Sequence, residues 1–280
     1  MVYLNGEWIP RAEARVAVDD RGFLFGDGVY EVTRAVGGAL YEAEAHLERL
    51  RRGLAGLEFA DDAVCPESLL AVSARLLEVN GLMDGQASVY LQVTRGSAPR
   101  THHFPAPGTA PTVYLSASRF TPPAELHERG AAAITHPDLR WARCDLKTVN
   151  LLPNVLAKQH AVAAGANEAI LIRHGAVTEG SHSNVFGVLN GELRTYPRCR
   201  QILPGITRDV VLRIAAELAL PVSETPIRVD ELPRLAELFI TGTTTDVMPI
   251  VRLDGHPVGD GTPGPVTRRL QDAHREHMGA

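Results

Sequence analysis

Short segments that alternate apolar and polar residues and longer segments with apolar residues at helical spacing succeed one another along all 280 residues. That succession most restricts what the chain can become, because a strand buries one face and a helix one stripe, each against another element. Residues 3–9 and 28–36 read as strands, the second following the glycines of Phe25-Gly26-Asp27-Gly28. Residues 42–57 have helical spacing, with Leu47, Leu50, Leu54 and Leu57 on one stripe. Residues 66–79 form a second amphipathic helix, with Pro66 in its first turn and Asn80-Gly81 at its end. Residues 87–95 and 112–118 alternate as strands. Residues 118–125 contain Pro122-Pro123 and read as a linker. A second block follows, with strands at 131–135, 168–173 and 238–241 and helices at 154–164, 208–220 and 266–277. The class is therefore α/β (α+β) in two lobes: a small N-terminal domain at 1–118, an interdomain linker at 119–126 and a larger C-terminal domain at 127–280. The length agrees, at roughly 150 residues per domain, and a cleft between lobes is a usual place for a small-molecule site.

Composition narrows the function classes. Apolar residues make up 45% and charged residues 22%, which excludes a disordered chain. A net charge of -5 favours neither nucleic acid nor anionic membrane as a partner, since both demand a basic surface. No apolar run reaches the ~18 residues of a membrane span, and the first residues lack the basic and apolar regions of a signal peptide. Cys65, Cys144 and Cys199 are odd in number and far apart. The expectation is a soluble cytoplasmic protein with no disulfide framework and no metal. There is no G-x-G-x-x-G, Walker A or H-E-x-x-H pattern. Gly180-Ser181-His182-Ser183-Asn184 lacks the second glycine of a nucleophile elbow, and His274-Arg275-Glu276-His277 reads as a solvated helix end.

The positive charge is divided unevenly. Of 28 basic residues only Lys147 and Lys158 are lysine. Arginine keeps its proton in proteins, whereas a partly desolvated lysine sheds it and becomes a nucleophilic amine. Lys158 lies inside a helix, where a solvated side chain is the simple reading. Lys147, in Cys144-Asp145-Leu146-Lys147-Thr148-Val149-Asn150, lies between a strand-like segment and a helix beginning near Pro153, a junction that points a side chain into a cleft. About 30 residues on, Glu179, Ser181, Ser183 and Asn184 precede an apolar strand; alone this segment reads as a hairpin turn with a surface carboxylate. Next, Leu203-Pro204-Gly205-Ile206-Thr207 enters an amphipathic helix. Its free amides and positive dipole end make an anion seat, or simply a capped helix start. Finally, a buried strand at 238–241 runs into Gly242-Thr243-Thr244-Thr245, either a second wall of a phosphate cup or a helix N-cap.

Taken in this order, the segments resemble the pyridoxal-phosphate enzymes of fold type IV, over nearly the whole chain. Within that family the chain is similar to the bacterial D-amino-acid aminotransferases. The matching stretches are Asp20 through Val32, Gln92 through His102, Arg140-Trp141 with the Lys147 segment, Glu179 through Phe186, and Gly205 through Val211. The resemblance implies a two-domain fold with pyridoxal 5'-phosphate in the interdomain cleft. Lys147, in the C-terminal domain, forms the Schiff base and shuttles the substrate proton. Glu179 pairs with the pyridine nitrogen and keeps the ring an electron sink. Arg49 grips the phosphate with its fork, and Ile206, Thr207 and Thr243 complete the phosphate cup. Leu203 packs against the ring, with Ser183 and Asn184 nearby. Arg100 and His102, two apart and on one side if the segment is extended, join Tyr30 in gripping the substrate carboxylate. They reach in from the other subunit of a homodimer. Val32 and Arg34 share the face of Tyr30 and, with Thr244, complete the substrate set. His182 stands where the relatives carry a small hydroxyl residue.

The implied activity is transamination between a D-amino acid, such as D-alanine, and a 2-oxo acid (2-oxoglutarate or pyruvate), by a ping-pong route through a pyridoxamine phosphate form. The alternatives are a branched-chain L-amino-acid aminotransferase, which Arg34 resembles, and aminodeoxychorismate lyase, which the 181–184 segment fits poorly. Partners are small-molecule amino acids and 2-oxo acids.

Overall fold

A computed structural model of the chain describes residues 1–279. Two compact units emerge: Met1–Thr121 with Leu146–Asn150, and Pro122–Asp145 with the residues from Leu151 onward. Both mix helices with a sheet, in agreement with the α+β class.

The first unit comprises β1 (Val2–Leu4), β2 (Glu7–Ile9), α1 (Arg21–Phe25), β3 (Gly28–Val36), β4 (Ala39–Leu40), α2 (Ala43–Gly56), α3 (Pro66–Val79), β5 (Gln86–Thr94) and β6 (Thr112–Arg119). Its strands form one antiparallel sheet in the order β2-β1-β6-β5-β3-β4. The single strand expected over 3–9 is instead a hairpin that turns at Asn5 and Gly6, with φ of 51° and 95°. A two-residue hairpin turn needs two successive left-handed residues, and Asn-Gly supplies them cheaply. Leu47, Leu50 and Leu54 of α2 and Leu69, Leu76 and Leu77 of α3 bury their stripes against Val29, Val89, Leu91, Val93 and Leu115. Each such side chain contributes roughly 1.5–3 kcal/mol. A side chain on Gly53 would begin 3.1 Å from Val29, so glycine there lets α2 sit close on β3. Because strand side chains alternate, Val29, Glu31 and Ala35 face the helices while Tyr30, Val32 and Arg34 line the opposite face.

Residues Leu146–Asn150, placed in the C-terminal domain by their position in the sequence, group with this first unit. The reason is hydrogen bonding. Tyr30 N–H donates to the Lys147 carbonyl at 3.0 Å and Val149 N–H to the Gly28 carbonyl at 3.1 Å, so the segment runs as an extra rail along the start of β3.

The second unit comprises α4 (Ala124–Arg129), β7 (Ala131–Pro137), α5 (Leu152–Ala163), β8 (Glu168–Arg173), β9 (Ala176–Gly180), β10 (Asn184–Leu189), β11 (Glu192–Thr195), α6 (Ile206–Glu217), β12 (Val222–Ser223), β13 (Glu237–Gly242), β14 (Asp246–Leu253), β15 (His256–Pro257) and α7 (Pro265–Met278). The strands form a mixed sheet in the order β12-β11-β10-β13-β14-β7-β8-β9, with β15 on β14. The expected linker ends early, in α4. Strands β9, β11, β12, β14 and β15 go beyond the expected set, whereas β10 is the apolar strand expected after the 179–184 segment. In β9 every residue from Ala176 to Gly180 is buried, and a strand covered on both faces shows no alternation. His274, expected to be solvated, is 2% exposed. It completes the buried stripe Thr267, Leu270, Gln271, His274 of α7, which a solvated end would not need. Among the described residues no helix is long and apolar enough to cross a membrane.

Candidate active site

In the first unit, Lys147 is half-buried and its Nζ lies 4.1 Å from the centre of the Tyr30 ring. The backbone pairing of Lys147 with Tyr30 and the alternation of β3 together bring the amine to the face carrying Tyr30, Val32 and Arg34. Arg34 is fully buried there, donating from Nε to Gln86 Oε1 at 3.0 Å and lying 3.7 Å from the Phe120 ring. Its guanidinium is enclosed by protein, while Tyr30 and Val32 are half-buried. Arg100 and His102 are exposed and flank Phe25, at 5.2 Å and 5.6 Å from its ring centre. The chain between them turns rather than extends, since Thr101 N–H bonds the Pro99 carbonyl at 2.8 Å. Even so, both side chains gather at one ring, and Arg21 anchors the loop by bonding the Thr101 carbonyl.

Arg49 lies on α2, 5% exposed, with Glu31 of β3 as a bidentate partner: Nε to Oε1 at 2.7 Å and Nη2 to Oε2 at 2.8 Å. His46 Nδ1 lies 2.8 Å from Glu31 Oε2. Burial pushes the Glu31 carboxyl up, but Arg49 and His46 overcome it and hold the group far below the usual carboxylate range. Burial also lowers the His46 pKa, against the pull of Glu31. The arginine expected at the phosphate is thus pre-oriented by a buried carboxylate that sequence reasoning did not identify.

In the second unit, Glu179 sits near the end of β9 and is 4% exposed, not the surface carboxylate of a hairpin turn. It pairs with Arg140 Nη1, accepts from Asn184 Nδ2 at 3.0 Å, and accepts the Leu203 N–H at 3.0 Å. Burial pushes its carboxyl up to about 7, against the pull of Arg140 and the Leu203 amide. Asn184 also donates to the Leu203 carbonyl at 2.8 Å, tying β10 to the loop before α6. Ser183, 7% exposed, donates to Glu168 Oε2 at 2.7 Å. Glu168 is fully buried and takes further bonds from the Ala169 and Ser181 amides and the Ser181 hydroxyl, with His182 Nδ1 at 3.1 Å. Burial alone would raise the Glu168 carboxyl, yet His182, Ser181 and Ser183 bring it down to about 2. Its only sequence signal was an acid opening an otherwise apolar strand.

Helix α6 begins at Ile206, and its N-cap, Gly205, provides no side-chain cap. The first amides of this 12-residue helix, with Thr207 buried behind them, therefore remain donors for an anion. A Cβ on Gly205 would stand 2.1 Å from Asn184 Oδ1, so the loop reaches the strand only as glycine. Asn184 pairs in register with Thr241 of β13, whose buried hydroxyl has no hydrogen-bond partner. Thr243 and Thr244, half-buried, form the tight turn between β13 and β14, so the helix N-cap reading does not hold. An orphan hydroxyl, an uncapped helix start and a glycine cradle suit a phosphate. A buried carboxylate with fixed donors suits a ring nitrogen, and an amine on an aromatic face suits an aldehyde. The residues present fit pyridoxal phosphate.

The sequence matches the family described as Amino-transferase class IV over residues 28–253. The chain belongs to the class IV aminotransferases. It is 42% identical over 277 residues to the D-alanine aminotransferase of Staphylococcus haemolyticus, covering 99% of this chain and 97% of that protein. It is 42% identical over 272 residues to that of Bacillus licheniformis, covering 97% and 95%. Among solved structures, it superposes on a branched-chain amino acid aminotransferase from T.th., solved with pyridoxamine 5'-phosphate, at a TM-score of 0.89, with 30% identity and coverage of 99% and 94%. The Escherichia coli branched-chain enzyme gives a TM-score of 0.89 at 26% identity, covering 97% and 92%.

Proposed function

We propose that this aminotransferase moves the amino group of a D-amino acid, D-alanine among them, to a 2-oxo acid such as 2-oxoglutarate or pyruvate, with pyridoxal 5'-phosphate as cofactor. The observation that carries the reading is the joint presence of a lysine amine held on the Tyr30 ring and a deeply buried, multiply bonded Glu179. D-alanine aminotransferases at 42% identity over nearly the full length support the D-specific form. When bound, the cofactor supplies a carbonyl that an amine can attack and a ring that accepts the electrons left on the substrate α-carbon.

The chain's own residues do the rest. Lys147 would hold the cofactor through its Nζ, and the same amine would take and return the proton at the substrate α-carbon. The Tyr30 ring face holds the amine while it is charged. Glu179 holds a proton at the ring nitrogen. Arg49, oriented by Glu31, and the Ile206 and Thr207 amides, with Thr207 and Thr243, hold the phosphate. Leu203, Ser183 and Asn184 would fix the ring, and Tyr30, Val32 and Thr244 would line the substrate side, with Arg34 enclosed by protein rather than facing the substrate.

Arg100 and His102 serve the partner's site in a homodimer. An exposed apolar stripe on α5 supports the dimer: Leu152, Val155, Leu156 and Val162 are 67%, 57%, 50% and 55% exposed, more than a lone soluble helix face normally leaves uncovered. Three free thiols accord with a reducing, cytoplasmic setting. A branched-chain L-amino-acid aminotransferase is the second reading, favoured by the structural neighbours.

With 2-oxoglutarate as acceptor, D-alanine is expected to turn over and L-leucine is not; turnover of L-leucine alone would overturn the assignment. In the same assay Arg100→Ala should raise the KM for D-alanine by roughly 10–100-fold, the worth of a charge-assisted bond, and leave cofactor affinity unchanged. Equal loss of both would remove Arg100 from the carboxylate grip.

A further inference from the structure

We propose that Arg140 is a positioning residue which keeps Glu179 ionised and aimed, with Asp138 setting how strongly it does so. The inference rests on the reading of Glu179 as partner of the cofactor's ring nitrogen.

Arg140 is gripped from one side. Its Nε and Nη2 fork onto Asp138 Oδ1 and Oδ2, both at 2.8 Å, and Nη2 also reaches the Gln201 carbonyl at 3.1 Å. Only Nη1 turns to Glu179. Asp138 is itself pinned, by the Thr178 hydroxyl at 2.9 Å and by Arg173 at 3.0 Å. The side chains of Asp138, Arg140 and Glu179 are 0%, 7% and 5% exposed. A bidentate fork held this way cannot swing, so the third nitrogen marks one place for the carboxylate.

The charges count as well. The cluster holds two carboxylates, Asp138 and Glu179, and two guanidiniums, Arg140 and Arg173. Cys144 and Tyr196 are the other titratable neighbours, and Asn184 and the Leu203 amide are neutral donors. Removing Arg140 leaves two buried carboxylates to one guanidinium. The cheapest relief is for Glu179 to take a proton. A neutral Glu179 no longer holds a proton on the ring nitrogen, and the ring becomes a weaker electron sink. Glu179 already lies close to that point, since burial pushes it up to about 7 even with Arg140 in place. Asp138 acts in the opposite sense, since its charge raises the Glu179 carboxyl.

The test uses the holoenzymes of Arg140→Met, Arg140→Lys, Asp138→Asn and Glu179→Gln. Two readouts are taken: the pH midpoint of the bound cofactor's visible band, which titrates with the nitrogen joining Lys147 to the cofactor and moves upward when the ring nitrogen loses its charge, and kcat and KM for D-alanine. Arg140→Met is expected to lower kcat by about 100-fold while KM changes by less than about threefold, and to move the midpoint upward. Arg140→Lys keeps the cation and recovers about tenfold of the loss. Asp138→Asn moves the midpoint downward, and that opposite sign separates electrostatics from simple disruption. Midpoints that shift together in Arg140→Met and Asp138→Asn, or that do not shift, overturn the proposal. Should Arg140→Met not fold, Arg140→Lys and Asp138→Asn still decide it by the same signs. Glu179→Gln separates the two readings: a band unaltered in that variant removes the ring-nitrogen role itself, whereas a band shifted there but not in Arg140→Met removes only the role of Arg140.

Discussion

Lys147→Ala is expected to abolish transamination of D-alanine, by roughly 10⁴-fold or more, since it removes both the covalent link and the proton carrier. The same substitution should erase the visible band of covalently bound cofactor, and borohydride should no longer tag the chain. The fold should survive. The segment is held to β3 through backbone groups, Tyr30 N–H to the Lys147 carbonyl and Val149 N–H to the Gly28 carbonyl, which alanine retains. What alanine loses is the contact of Nζ with the Tyr30 ring, worth about 0.5–1 kcal/mol at a half-exposed site. Absorption spectra, single-turnover kinetics and a thermal melt check the three statements. Lys158→Ala is the matched control. That amine bonds the Asn167 carbonyl on the surface, and its loss should leave turnover unchanged. A yellow, active Lys147→Ala protein would sink the assignment.

Glu31→Ala should destabilise the first unit by about 3–5 kcal/mol, because it takes the bidentate carboxylate away from the buried Arg49 charge. Against the 5–15 kcal/mol of a typical domain, that is enough to threaten folding at physiological temperature. In whatever protein folds, affinity for the cofactor should fall too, since Arg49 loses the carboxylate that aims it. Denaturant titration and cofactor titration measure the two effects; a stability change under about 1 kcal/mol, the scale of an exposed pair, would show that the pair is not buried in solution.

The same cluster sets a pH dependence. Glu31 titrates lower when folded than its ordinary 4.5, so its contribution is complete above that value and is lost as pH falls below it. His46 titrates below its ordinary 6.5 when folded, so the unfolded chain binds its proton first and stability already declines as pH drops through that range. Wild-type stability should therefore fall in two acid steps, and Glu31→Ala should show a smaller lower one, since Glu168 and Asp138 are also held below their ordinary range.

Some of this was readable in the chain itself. The stripe Leu47, Leu50, Leu54 announced α2, and Pro66 and Asn80-Gly81 bracketed α3, because helix spacing and caps are local. Lys147 stood out because a chain that uses arginine elsewhere kept a lysine at a junction. Gly205 ahead of Thr207 marked a helix start able to seat an anion. Strands such as β9 escaped, since burial on both faces removes the alternation that reveals a strand.

Sequence by itself determined the amphipathic helices and the alternating strands, and marked an amine, a carboxylate and a helix start as candidates for the chemistry, for these follow from side-chain type and spacing to near neighbours. Only the tertiary structure decided the state of the charges: Glu179 buried against Arg140, Arg49 forked onto Glu31, Glu168 under the 181–183 turn, and Lys147 brought to Tyr30. Each of those pairings joins residues remote in the chain. A buried charge survives only where the fold delivers a partner, and no local pattern says which of 33 acids or 28 bases that partner will be.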